Sequence, residues 1–418
     1  MDVAFERASA RYRVVPAAWS SELFRSCLRE PRSVTTESVI EWYRWHSKFY
    51  SERLQMVDQW QAVPALEKHE MMRLKPAPQS RWLYSATTSG TSGTKVTVFY
   101  SREEFRFKWA LMYRPFAFYS LPAVVRQVIF LDTSLEQRGG DRLSYRTNEH
   151  EYRSVVVPAH WPVWRQFEFL KVYRPHVLRG FPSAIYRLCV EAEMKPLRDL
   201  DIKVVSPSGE WMEAAWRETI QDALSAPVYD RYGATETGAI AWECPMCSRY
   251  HYNSDEHIVE TDEEGYLLIT PLFLAYQPLL RYRLGDCVAV EPEDGRCRVS
   301  LPTLQIKGAR RDDWLRDGLG RLISPLAFQF EHFEWISQWH VHQNDDKSLV
   351  ISFKDLRVPR KEELEELRRH VVEIVPCVNI SIRREAIKPN LGKFKRVTSD
   401  LSYSGTSEGT GSNKSECS

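Results

Sequence analysis

No apolar run in this 418-residue chain approaches the roughly 18 residues that a membrane span requires. Charge of one sign is equally scarce. Lys+Arg number 57 against 56 Asp+Glu, a formal +1, which removes the electrostatic footprint of a dedicated nucleic-acid or anionic-membrane binder. The N-terminal Met1-Asp2-Val3-Ala4-Phe5-Glu6-Arg7 carries charges where a secretory leader needs an apolar block, so the expectation is a cytoplasmic protein. Cysteine is thin: 8 residues spread from Cys27 to Cys417, which is not the density of a disulfide scaffold. In a reducing compartment clustered cysteines point to metal before disulfide, and only Cys244 and Cys247 cluster. Internal repeats are absent.

What is present is a globular composition, 43% hydrophobic and 27% charged. The length exceeds the roughly 250–300 residues at which a single core stops growing, so two domains are expected. The first 75 residues lack glycine and read as mostly helical, with Trp42, Tyr43, Trp45, Phe49 and Tyr50 at near-helical spacing as core. From there to about residue 240, β-prone runs alternate with helical segments. The runs are 124–131, 154–157 and 202–205, and the helical segments 162–173, 183–194 and 211–224, a pattern that predicts an α/β layered sheet. Beyond residue 255 the texture becomes strand–turn–strand (257–260, 266–270), which reads as an antiparallel appendix. A smaller unit opens near residue 310, with an amphipathic helix over 362–374 burying Leu364, Leu367, Val371 and Val372, then an alternating strand over 379–383. The Ser/Gly/Thr-rich C-terminal end has too little apolar surface to offset the entropy of ordering.

The strongest local signal is Thr87-Thr88-Ser89-Gly90-Thr91-Ser92-Gly93-Thr94-Lys95, following the β-prone run 83–87 and preceding a helix with Ser101 at its N-cap. Its two glycines let backbone amides converge on an anion, its hydroxyls add donors and its lysine adds charge, which suits a triphosphate. It is not the Walker pattern, since only two residues separate Gly90 from Gly93. Downstream follow Arg174-Pro175-His176-Val177-Leu178-Arg179-Gly180-Phe181-Pro182-Ser183, Ser208-Gly209-Glu210, Tyr232-Gly233-Ala234-Thr235-Glu236-Thr237-Gly238, Tyr282-Arg283-Leu284-Gly285-Asp286, Arg310-Arg311-Asp312-Asp313 and Gly392-Lys393-Phe394-Lys395-Arg396-Val397.

This ordered set, over about residues 80–398, resembles the adenylate-forming (acyl-CoA synthetase-like) superfamily, and within it the compact phenylacetate–CoA ligase and capsule-biosynthesis ligase branch. The resemblance implies an α/β fold: a large N-terminal nucleotide- and acid-binding domain of layered sheets and helices over 1–309, a small mobile α+β lid over 310–398 and a disordered tail over 399–418. It implies ATP, Mg²⁺ and a carboxylic acid, with CoA as acceptor. An amine or carrier-protein acceptor, or a catalytically silent ligand-binding member of the fold, stays open beside it. Thr88, Ser89, Gly90, Thr91, Gly93, Thr94 and Lys95 would surround the β- and γ-phosphates, and Glu236 would hold Mg²⁺. Tyr232 would lie against adenine, with Gly233 and Thr235 in the same loop, and Ser208, Gly209 and Glu210 would form the opposite wall. Asp286 would accept the ribose hydroxyls, and Arg310 belongs to the nucleotide set. Lys393, with Thr91 and Glu236, would be catalytic, because an ammonium beside the α-phosphate neutralises charge that grows in the transition state. Asp312 matches the hinge. The pattern is broken at Leu284, where the family usually has threonine, and at Ala309, where it usually has glycine.

Cys244-Pro245-Met246-Cys247-Ser248-Arg249-Tyr250-His251 has the spacing of a zinc half-site, two thiolates and an imidazole that suit a borderline-soft cation. The resemblance favours Cys297 as fourth ligand; Cys287 and His257 are the alternatives, and the role expected is structural. The aromatic run Trp109, Tyr113, Phe116, Phe118 and Tyr119 reads as helix core or as the wall of an apolar acid pocket. No motif identifies the acid.

Overall fold

Strand Val124–Leu131 is buried at four consecutive residues, 127–130, so both of its faces are covered there, and it pairs in parallel with Glu151–Pro158 on one edge and Val177–Gly180 on the other. It is the centre of a six-stranded sheet ordered Arg13–Val15, Arg142–Arg146, Glu151–Pro158, Val124–Leu131, Val177–Gly180, Val204–Pro207. The connections are helices Val163–Tyr173 and Pro182–Glu191, and helix Ala214–Leu224 follows the last strand. The last of these buries Trp216, Ile220 and Leu224, one face at four-residue spacing. The molecule is represented by a computed structural model that describes residues 13–15, 35–71, 73–74, 84–87, 96–131, 142–146, 150–159, 161–192, 197–292, 297–308, 315–323, 328, 330, 333, 335–385 and 397–401.

A second sheet of seven strands runs His257–Thr261, Tyr266–Pro271, Tyr282–Glu291, Thr303–Gly308, Tyr250–Tyr252, Gly238–Glu243, Arg231–Ala234. The strands beyond residue 255 are therefore not an appendix. They are one side of a sheet that starts at Arg231, and hydrogen bonding between distant strands makes them one element. Against this sheet pack the short N-terminal helices Thr36–His46, Lys48–Arg53 and Lys68–Met71. Tyr43 and Tyr50 are buried there, their hydroxyls donating to the carbonyls of Leu279 (2.9 Å) and Pro278 (3.1 Å). Trp45, expected in that core, is 85% exposed: it follows Tyr43 by two positions and so lies on the other side of the helix.

Contacts divide the described residues into two compact units, the first built from those up to Leu284 and from 288–306, the second from Gly285–Cys287, 307–385 and 397–401. The second unit has a four-stranded sheet, Ile380–Arg384, Leu349–Asp355, Ile336–Gln343, Val397–Ser399, covered by helix Lys361–Ile374. Leu367 and Val371 enter its core with Phe330, Trp339, Val341 and Ile351, while Val372, one position round the helix, is exposed. Ser399, placed in the expected tail, closes the last strand, and Asp400 N–H donates to Gln343 O at 2.8 Å.

Candidate functional site

Strands Tyr84–Thr87 and Thr97–Tyr100 pair antiparallel with Thr87 opposite Thr97, so they form the two legs at the root of the Ser/Thr/Gly segment. Thr88, Ser89, Gly90, Thr91, Gly93, Thr94 and Lys95 themselves lie outside the described residues, as do Arg310, Asp312 and Lys393. The helix that follows, Arg102–Tyr113, starts with a reciprocal cap: Ser101 Oγ accepts from Glu104 N–H (3.2 Å) and Glu104 Oε2 from Ser101 N–H (2.6 Å). Glu104 Oε1 accepts in addition from the amides of Ala275 and Tyr276 (2.5 and 2.7 Å), fixing the helix to the seven-stranded half.

The hairpin root and this helix meet the Tyr232–Gly238 segment. Tyr100 OH donates to the carbonyl of Thr235, and Lys108 Nζ donates to Tyr100 OH and Thr235 O, both at 2.8 Å, while lying 4.3 Å from the centroid of the Tyr100 ring. Burial pulls the Lys108 ammonium down to about 8, and the neighbouring Glu236 carboxylate partly restores it. Strands Arg231–Ala234 and Gly238–Glu243 come so close that a Cβ on Gly233 would stand 2.4 Å from Gly238 O, which explains a glycine there. Glu236 is buried in the turn between them, and its Oε1 accepts from Tyr282 OH at 3.2 Å. Tyr282 opens the strand that carries Asp286, itself nine-tenths buried. Thr237 O faces His257 Nε2 at 3.3 Å, and His257 Nδ1 faces Asn253 O at the same distance; burial holds this imidazole down at about 4, that is, neutral.

Ser208, Gly209 and Glu210 follow the last parallel strand, at the carboxyl end of the sheet where open α/β sheets leave a crevice. Ser208 N–H donates to Gly180 O (2.9 Å), and Ser208 bridges to Arg231, the residue before Tyr232. Gly209 has φ +89 and lies against the Phe181 ring, and Glu210 Oε2 accepts from Ser183 N–H at 3.1 Å in the first turn of helix Pro182–Glu191. Thus the structure joins the 208–210 and 231–238 segments to each other, and the latter to Tyr100, Lys108 and Tyr282. Sequence reasoning assigned no role to these last three. Tyr282 stood in a quoted motif, whereas a lysine on a polar helix carries no signal of burial. Of the aromatic run, Tyr113, Phe116 and Tyr119 are core, with Trp109 and Phe118 packed on them.

The cysteine knuckle is a separate centre. The Sγ atoms of Cys244, Cys247 and Cys297 and a ring nitrogen of His251 all lie within 4.8 Å of one another. Cys244 and Cys297 sulfurs are 3.7 Å apart and Cys247 Sγ is 3.4 Å from His251 Nε2. Zn–S and Zn–N bonds of about 2.3 and 2.0 Å at tetrahedral angles give separations of about 3.5–3.8 Å. His251 Nδ1 sits 2.6 Å from Leu301 O, a donor arrangement that leaves the Nε2 lone pair for the sulfur cluster. Cys297 is the fourth member. Cys287 and His257 are not in the group: Cys287 is a free thiol on strand Tyr282–Glu291, and His257 is committed to the Thr237 and Asn253 carbonyls.

No family model matches the chain. Among solved structures it is similar to a 2-hydroxyisobutyryl-CoA ligase in the postadenylation state in complex with 2-HIB-AMP, at TM-score 0.68 and 16% identity over 94% of this chain and 93% of that one. It is also similar to the anthranilate CoA ligase AuaEII in complex with anthranoyl-AMP, at TM-score 0.51 and 12% identity over 74% of this chain and 64% of that one. Among curated proteins, the indoleacetate–lysine synthetase of Pseudomonas savastanoi is 26% identical over 160 residues, 38% of this chain and 38% of that relative. Protein CapK of Staphylococcus aureus is 24% identical over 144 residues, 30% of this chain and 28% of its own length. The chain thus matches well under half of the curated relatives' lengths, and its likeness to the two solved ligases is one of fold. No described helix is long and apolar enough to cross a membrane. In its architecture this chain has the fold of the 2-hydroxyisobutyryl-CoA ligase.

Proposed function

We propose that the chain is an ATP-dependent, AMP-forming carboxylate ligase that adenylates an aryl or acyl carboxylic acid and passes it to CoA as a thioester. The observation that carries this reading is the meeting of four separate stretches of chain at one turn. Tyr100 from the hairpin root, Lys108 from the next helix and Tyr282 from the Asp286 strand all bond to the Thr235–Glu236 turn.

In this reading the 1–309 domain binds nucleotide and acid, and residues 310–398 act as a lid. Tyr232 and the Ser208–Glu210 segment face the adenine, Asp286 the ribose, and the 88–95 segment with Arg310 the phosphates. The acid's carboxylate oxygen attacks the α-phosphorus and pyrophosphate leaves, so catalysis is positioning plus stabilisation of growing charge. Glu236 fits Mg²⁺: it is a hard oxygen donor, buried, with one carboxylate oxygen on Tyr282 OH and the other taking no hydrogen bond among the described residues. Mg²⁺ bound there would neutralise phosphate charge. Tyr100 and Lys108 hold the Thr235 carbonyl, which fixes where the Glu236 carboxylate points. Lys393 supplies the cation beside the α-phosphate, assisted by Thr91.

Cys244, Cys247, His251 and Cys297 would hold a structural Zn²⁺. The two sulfur pairings and the Leu301-oriented imidazole support tetrahedral N/S ligation.

Acid-stimulated pyrophosphate release tests the ligase reading, and Lys393→Ala is expected to lower it by about 100-fold or more, the scale of a lost transition-state charge contact. Absence of release across a broad panel of acids would remove the reading. Dependence of AMP formation on CoA then separates thioester formation from transfer to an amine. The amine reading is kept because the indoleacetate–lysine synthetase matches over residues of this chain.

A further inference from the structure

The first unit buries two arginines whose guanidinium groups are in no ion pair with a carboxylate among the described residues. Arg179, on strand Val177–Gly180, is 3% exposed, and Arg231, directly before Tyr232, is 7% exposed. Every partner of their guanidinium groups is neutral. Arg179 Nη1 donates to Tyr113 OH (3.3 Å) and Gln127 Oε1 (3.2 Å), and its Nη2 to Met112 Sδ (2.6 Å). Arg231 Nη2 donates to Ser206 O (3.1 Å) and Ser208 Oγ (3.4 Å). The two share one aromatic wall, lying 5.6 and 5.9 Å from the centroid of Phe116.

The nearby carboxylates are already committed. Asp230 accepts from Tyr250 OH (2.7 Å) and from the Arg231 backbone N–H (2.8 Å), and Glu243 pairs with Arg217 at 2.9 Å. Elsewhere the chain treats a buried arginine differently: Arg114 is held by both oxygens of Asp255 (2.8 and 2.6 Å) and by Asn253. Neither Arg179 nor Arg231 forms an ion pair among the described residues. The Nε atoms of both, like that of Arg114, are buried without a hydrogen-bond partner, and Tyr119 OH and Ser206 Oγ beside Arg231 also lack a well-aligned one. Burial, then the Arg179 charge, pull the Arg231 guanidinium down to about 9 in spite of the Asp230 carboxylate beside it. Two desolvated like charges with spare donors are costly unless an anion completes them.

The place matters. Arg179 precedes Gly180, whose carbonyl holds Ser208 N–H, and Arg231 precedes Tyr232 and touches Ser208. The pair therefore stands beneath the segments assigned to the nucleotide crevice. We propose that Arg179 and Arg231 bind a second anionic group of the acid substrate, remote from the carboxylate that is activated, so that the substrate class is a dicarboxylic acid. This rests on the ligase reading above. A planar guanidinium meets a carboxylate through two parallel hydrogen bonds, and the Tyr119 and Ser206 hydroxyls, which lie beside each other and make no well-aligned bond, would turn to its remaining lone pairs. A site built of buried donors also rejects the analogue that lacks the group far more strongly than an apolar pocket rejects a missing methylene.

The test is ATP–pyrophosphate exchange with matched pairs, straight-chain and aryl dicarboxylates against monocarboxylates of equal length. Diacids are expected to exceed their partners in kcat/KM by about 100-fold or more. Arg179→Met and Arg231→Met should each raise KM for the diacid about 10- to 100-fold with a smaller change in kcat, and narrow the diacid preference. Without ligand these variants should melt no lower than the wild type, because an uncompensated buried charge has gone; a purely structural arginine would make them melt lower. Dicarboxylates should raise the melting temperature of the wild type and not of the variants. Monoacids turned over as well as diacids, with the ratio unmoved by either substitution, would overturn the inference and leave the ligase standing. No turnover of any acid would strike the ligase reading itself, and the absence of a dicarboxylate melting shift would then overturn the inference too.

Discussion

Lys108 and His257 touch the carbonyls on either side of Glu236 in sequence, those of Thr235 and Thr237, and burial pulls the proton affinity of each down. A charged His257 would satisfy both carbonyls that face it, Thr237 O and Asn253 O, yet desolvation outweighs them and its proton is held only below about pH 4. An unfolded histidine titrates near 6.5, so between about pH 6.5 and 4 the unfolded chain binds more protons and stability falls as pH falls. His257 contributes at most about 3 kcal/mol to that loss, which is complete near its folded value and absent above about pH 6.5. Replacing it as His257→Gln should flatten the fall of melting temperature between about pH 6.5 and 4.5; an unchanged slope would show that other groups set the acid limit. Neither residue was legible from sequence as part of the site. Burial of a single polar side chain depends on contacts with strands more than a hundred positions away, as Lys108 with Thr235 shows, and local pattern does not carry that.

At the scale of elements the sequence was far more informative, because periodicity is a local property. The run 124–131 is a strand with those bounds, and the 362–374 helix differs by one residue at its start. The cap at Ser101 is present as a reciprocal box. Strand order was not legible: the seven-stranded sheet places Thr303–Gly308 between Tyr282–Glu291 and Tyr250–Tyr252, a pairing that closes over fifty residues of chain. The cysteine cluster lies at that join. Cys244 ends the Gly238–Glu243 strand, His251 belongs to the Tyr250–Tyr252 strand, and Cys297 approaches Thr303–Gly308, so one metal would clamp three segments. Metal analysis of the purified protein should return about one equivalent of zinc, and its removal by chelation should lower the melting temperature by roughly 5 °C or more. Cys247→Ser should lower the zinc content and the melting temperature together, and amide exchange should rise first in the Tyr250–Tyr252 strand. A metal-free protein that melts like the chelated one would dismiss the clamp.

For the whole molecule, the proposed function asks two activities of one chain, adenylation and acyl transfer. In the proposed reading Lys393 would stand beside the α-phosphate in the first and have no part in the second. If the two half-reactions use different arrangements of the second unit, a backbone pivot must lie between Ile306, the last residue of the first unit's main body, and Leu315, the first strand residue of the second. Asp312 falls in that interval, outside the described residues. Lids of this kind turn on a few residues that absorb a change of φ and ψ, and proline fixes φ near −65°. Asp312→Pro should therefore leave acid-dependent pyrophosphate release within about 3-fold while slowing transfer of the acyl group by about 10-fold or more. The adenylate would then accumulate on the enzyme, detectable as AMP ester in a quenched reaction. Equal loss of both steps would mean that residue 312 supports the fold and not the turnover. Loss of neither would place the pivot elsewhere in the 307–314 interval.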